Sequence, residues 1–114
     1  MSLDLIKSQF EIIKILATSN KKYRKAIIAS ADQKLVTALA EIVLNLLAGN
    51  IKISEKDHSD LKKYKYVLRQ LIQNKNVVKR KKILVQQGGF LQFLLPAVIT
   101  GISNIIASAI NNKE

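Results

Sequence analysis

The chain predicts an all-α protein, a small bundle of four or five short helices followed by an apolar, amphipathic C-terminal helix. Three observations carry that expectation. Ile, Leu, Ala and Lys dominate a composition with 5% aromatic residues and no Trp, which suits helices better than a sandwich or barrel. Apolar residues recur at three- and four-residue steps through most of the sequence, the spacing that gathers them on one helical face. No strand signal is stronger than the short "NIKIS" at 50–54. At 114 residues and 48% apolar content, one modest core is what the chain can bury.

The elements follow in order. Leu5 or Ile6, Phe10, Ile13 and Leu16 with Ala17 mark a first helix with one buried stripe. "TSNKKYRK" interrupts it, and Ser19 or Asn20 can cap a second helix running through Ile27 and Ile28. Between Ala31 and Ala48 lies the strongest helical pattern, with Leu35, Leu39, Ile42, Val43, Leu46 and Leu47 on one side. It stops at Gly49, a residue free to adopt the left-handed conformation of a helix end. Ser54 can cap the next helix, with Asp57 in the acidic first turn that the helix dipole favours. Leu61, Tyr64, Leu68, Leu71 and Ile72 supply its stripe, and "QNKN" at 73–76 breaks it. A short basic helix from Val77 to Gln86 precedes Gly88 and Gly89. The expected division is a basic helical domain over 1–87 and a glycine hinge with an apolar helix over 88–114.

Charge is distributed in blocks. Nineteen Lys and Arg stand against eight Asp and Glu, a formal charge of +11, and such a chain attracts polyanions. Residues 1–51 carry seven basic and four acidic groups (+3), 52–82 carry eleven and three (+8), and 83–114 carry one of each. In the middle block Lys62, Lys63, Lys65 and Arg69 precede Lys75, Lys79, Arg80, Lys81 and Lys82. On a helix, positions 75, 79 and 82 share a face while 80 and 81 splay around it. These nine side chains are the expected phosphate contacts, and the excess of Lys over Arg favours point-charge contact without sequence reading. A solvated helix surface has the same composition, but the +8 of the whole block tips the reading toward an anion partner. Tyr64 falls on the apolar stripe and is expected in the core, which leaves Tyr66 as the exposed platform for stacking on bases. The turn between Gly49 and Ser54 is longer than that of a helix-turn-helix, so general DNA binding ranks above sequence-specific recognition.

Catalytic chemistry is not expected. There is no Cys, and the single His58 sits beside Asp57 and Asp60 without a nucleophile and base in a recognisable arrangement. "GGF" lacks the remaining glycines and the Lys-Ser/Thr ending of a phosphate-binding loop. No metal and no cofactor are assigned. The start of the chain mixes acids and lysines among its apolar residues, unlike the apolar core of a signal peptide, so secretion by that route is not expected.

From Phe90 to Ile110 run 21 residues without a charge, about 31 Å of helix and long enough to cross a bilayer. Gln92, Thr100, Ser103, Asn104 and Ser108 dilute the run, and Pro96 is expected to kink or start the helix. Phe90, Leu91, Phe93, Leu94, Leu95, Ile99, Ile102, Ile106 and Ile110 form its apolar surface. That surface suits an anionic membrane interface, self-association or another partner protein, and equally the last core helix of the bundle.

The pattern Gly88, Gly89, Phe90, Leu91, two variable residues, Leu94, Leu95, Pro96, followed by an Ala/Ile-rich helix, resembles the C-terminal part of adenoviral core protein X, the mu precursor. More broadly, Ile15 to Ile110 resembles small basic proteins of Polinton (Maverick) elements and adintoviruses. The resemblance implies a virion-associated protein, found in the virion and host nucleus, that contacts packaged double-stranded DNA through its lysines. It also implies proteolytic processing near the glycine pair. Gln86 and Gln87 stand where that processing site carries an aliphatic context, so Gly88 and Gly89 are read as a hinge first and a cleavage site second.

Overall fold

The computed structural model describes residues 3–111, with side chains from 4 to 108. Among the described residues there are eight α-helices and one 3₁₀ turn, and no strand. They are α1 (Leu3–Ser8), α2 (Phe10–Thr18), α3 (Lys21–Ala29), α4 (Gln33–Leu47), α5 (Glu55–Lys62), α6 (Lys65–Gln73), α7 (Val77–Gln87), the 3₁₀ turn Gly88–Phe90 and α8 (Leu91–Asn111). The all-α expectation holds. "NIKIS" is an irregular connection that buries Ile51.

Polar side chains at the starts of four helices satisfy backbone donors that have no partner inside the helix. Asn20 accepts from the Tyr23 N–H at 2.9 Å, Asp32 from Leu35 at 3.0 Å, Ser54 from Asp57 at 3.1 Å and Asn76 from Lys79 at 3.2 Å. At the end of α4, Gly49 has a φ of 83°. The Gly49 N–H donates to the Leu46 carbonyl and the Asn50 N–H to the Asn45 carbonyl, the paired bonds of a Schellman stop.

Two of the expected helices are each broken once, and the packing explains both breaks. The first bends at Gln9, so that α1 lies on α4 whereas α2 lies on α8. A straight helix would present Ile6, Ile13 and Leu16 to one neighbour; the bend lets them serve two. The second bends at Lys63 and Tyr64, so that α5 packs on α8 while α6 packs on α4 and α7.

α4 is the central post, burying Leu35, Val36, Leu39, Ile42, Val43 and Leu46. α8 belongs to the same core: Phe90, Leu91, Leu94, Leu95, Val98 and Ile102 are all buried. Leu84 before the glycine pair and Phe90 after it join one buried cluster. The radius of gyration, 13.4 Å, matches the ~13 Å of a globular chain of about this length. Pro96 lies inside α8 rather than at its start; it removes the bond its own N–H would give to the Gln92 carbonyl, and the helix continues past it. Gly101 has a specific task. A Cβ there would stand 3.0 Å from Ile51 Cγ2 and 3.3 Å from the Lys52 carbonyl oxygen, so the missing side chain lets the 51–52 connection cross directly over α8.

Candidate nucleic-acid interface

The basic block folds mainly as a helical hairpin, α6 and α7, joined by the short Asn74–Asn76 connection. α6 buries Leu68 and Leu71. Lys65, Arg69 and Gln73 follow at four-residue steps on the opposite side, with Tyr66 beside them, and all four are exposed. α7 buries Leu84 and turns Val78, Lys79, Lys82 and Gln86 outward. Between the two helices lies an open cleft of about 590 Å³, lined by Gln70, Gln73 and Asn74 on one side and Lys79, Lys82 and Gln86 on the other.

The nine expected phosphate contacts do not all share this environment. Lys62, Lys63, Lys65, Arg69, Lys75, Lys79 and Lys82 are exposed. Arg80 and Lys81 are half-buried and hold the fold together. Arg80 Nε donates to the Leu71 carbonyl at 3.0 Å and Nη2 to the Ile72 carbonyl at 3.5 Å, placing a cation on the last carbonyls of α6, where the helix dipole favours one. Lys81 Nζ donates to the Ala31 carbonyl at 2.9 Å and ties α7 to the α3–α4 connection.

None of the seven exposed cations forms an ion pair among the described residues. Among the described residues the sole ion pair joins Glu11 and Lys14 on α2, 3.0 Å apart. A surface of this kind repels itself in water and is relieved by a polyanion whose counterions are released on contact.

Tyr66 is 72% exposed, and its hydroxyl accepts from Gln70 Nε2 at 2.9 Å. That bond ties the ring to Gln70, one of the cleft's amides. Tyr64 packs inward, 5.9 Å from the Phe93 ring in a stacked arrangement and 6.3 Å from Phe90. The cleft amides Gln70, Gln73, Asn74 and Gln86 were not expected as site residues. "QNKN" signalled a helix break, and only the hairpin brings those amides opposite Lys79 and Lys82. His58 is exposed on α5.

Of the apolar surface expected on the C-terminal helix, Phe90, Leu91, Leu94, Leu95 and Ile102 face the core, Ile99 and Ile106 are half-buried and Phe93 is 37% exposed. Ile110 lies outside the described side chains. Val77–Ser108 contains a stretch long and apolar enough to cross a membrane, with mean hydropathy 1.8. A third of that stretch is buried, the share that one face of an amphipathic helix contributes to a core. Comparison with family models, curated proteins and solved structures finds no match to this chain.

Proposed function

We propose that the protein is a non-enzymatic, virion-associated DNA-binding protein that holds double-stranded DNA through lysine–phosphate contacts with little sequence preference. The observation that carries the reading is the set of seven exposed cations between Lys62 and Lys82, unpaired among the described residues, two of which, Lys79 and Lys82, line an amide-lined cleft. Six of the seven are Lys, which contact phosphates as mobile point charges rather than as planar forks aimed at base edges. The amides extend the same surface with neutral donors for phosphate oxygens. Tyr66 offers a ring to an unstacked base at a strand end. The assignment to a virion rests on the resemblance of the Gly88–Pro96 stretch to adenoviral core protein X.

The test is a titration with unrelated duplexes at several salt concentrations. Engagement of four to seven phosphates gives a slope of log affinity against log salt of roughly −4 to −6, with similar affinities for every sequence. Affinity that is insensitive to salt, or absent at low salt, would sink the reading. A second reading, attachment to an anionic membrane through α8, draws on the length and hydropathy of Val77–Ser108. It requires Phe90, Leu94 and Leu95 to leave the core. Flotation of the intact protein with anionic vesicles at a salt concentration that abolishes duplex binding would favour it.

A further inference from the structure

A second basic feature borders the α6–α7 cleft, sharing Gln86 with it. On α3, Lys21, Arg24, Lys25 and Ile28 occupy positions i, i+3, i+4 and i+7, the spacing of a stripe that faces a neighbour. The neighbour is α7. Three of the four residues are cations, of which Arg24 is buried and Lys21 and Lys25 are exposed, and with the Gly88–Gly89 turn they line a pocket of about 220 Å³. No acidic residue lines it.

Arg24 makes the case. It is 5% exposed, among the most buried polar residues described, and a guanidinium never gives up its charge. Among the described residues its guanidinium makes one hydrogen bond, from Nη1 to the Ser19 carbonyl at 3.4 Å, a long contact that uses one of five donors. A buried charge is costly unless an opposite charge and good hydrogen bonds accompany it. Among the described residues the Arg24 guanidinium has neither a carboxylate nor a short hydrogen bond, and because no fully enclosed side-chain nitrogen lacks a partner there, its remaining donors stay open to solvent.

The glycine pair points the same way. Neither Gly88 nor Gly89 has a positive φ. A Cβ at Gly89 would meet nothing within 4 Å, and one at Gly88 would make only an ordinary 3.5 Å contact with Leu91 Cδ1. Backbone conformation and internal packing therefore leave the choice of two successive glycines unexplained. Both line the pocket, where the lack of side chains bares the backbone to whatever enters.

We infer that this pocket binds a phosphate-class oxyanion of a small molecule, a phosphate ester or diphosphate. Arg24 is its buried anchor, Lys21 and Lys25 flank the entrance, and Gly88 and Gly89 form the wall against which the oxyanion lies. Its volume exceeds that of one tetrahedral anion, which is why an ester or diphosphate fits better than orthophosphate alone. The site adjoins the α6–α7 cleft through Gln86, which lines both, but its three cations, Lys21, Arg24 and Lys25, are not among the nine expected duplex contacts.

The experiment titrates the full chain with inorganic pyrophosphate at constant ionic strength, following the backbone amide resonances of Gly88 and Gly89. A parallel titration uses a short blunt duplex. The expected result is a saturable shift of both glycine amides with pyrophosphate. In Lys21→Gln/Lys25→Gln, whose side chains are exposed and leave the core intact, binding weakens about tenfold. Lys7→Gln/Lys34→Gln removes the same charge elsewhere and leaves binding unchanged. Equal weakening in both double variants, or no glycine shift with pyrophosphate, overturns the site. A shift with duplex alone overturns the small-molecule assignment and gives the phosphoryl group to the DNA backbone. Failure of the duplex at Lys79 and Lys82 leaves the pyrophosphate result standing, so the two readings fail separately.

Discussion

Adjacent residues in "KRKK" have different duties, and substitution separates them. Lys79→Met removes an exposed cation from the cleft wall: thermal stability stays unchanged, and the salt slope of duplex binding falls by about one. Arg80→Met takes the donor from the Leu71 and Ile72 carbonyls, and chemical denaturation should register a loss of about 1–2 kcal/mol. Equal stability of the two variants would contradict this division. Gly101→Val pushes a branched side chain against Ile51 and the Lys52 carbonyl, with an expected cost of about 1–3 kcal/mol in the same assay. At this scale the sequence is partly legible. The caps Asn20 and Ser54 and the stop at Gly49 are visible because they depend on local backbone chemistry. The roles of Arg80, Lys81 and Gly101 are not visible, because each is defined by a partner from another element: the end of α6, the α3–α4 connection and the 51–52 crossing.

Helix periodicity reports that a face is buried but not against which neighbour. This is why the stripes through Leu5–Leu16 and Leu61–Ile72 read as single helices, whereas the chain bends at Gln9 and at Lys63–Tyr64 to divide each stripe between two partners. The glycine pair was legible as an interruption but not as a continuation into α8. Between α7 and α8 the 3₁₀ turn places Phe90 with no exposed surface beside Tyr64. Phe90→Ala therefore costs about 3–5 kcal/mol, measured as a lower midpoint in urea with the slope unchanged. A variant of near wild-type stability would mean that the turn is the loose hinge its glycines suggest.

Over the whole molecule, charge and core are segregated. α4 and α8 supply most of the buried cluster, and the middle of the chain carries +8 over residues 52–82. The composition revealed that segregation, but the cleft amides and the buried Arg24 required the packed hairpin and the α3–α7 contact. Removal of residues 90–114 strips Phe90, Leu91, Leu94, Leu95, Val98 and Ile102 from the cluster, and calorimetry of the truncated chain should show no cooperative transition. A sharp transition in the fragment would mean that residues 1–89 hold a core of their own. The pairing of α2 with α8 also bears on synthesis. α2 leaves the ribosome before the α8 surface that packs against it, which is translated only after α3 to α7. The α6–α7 hairpin can close as soon as it emerges, whereas α2 must wait, so the native state is reached only after translation has passed α8. Until then the nascent chain carries an uncovered apolar helix, and that interval is when a chaperone would be needed.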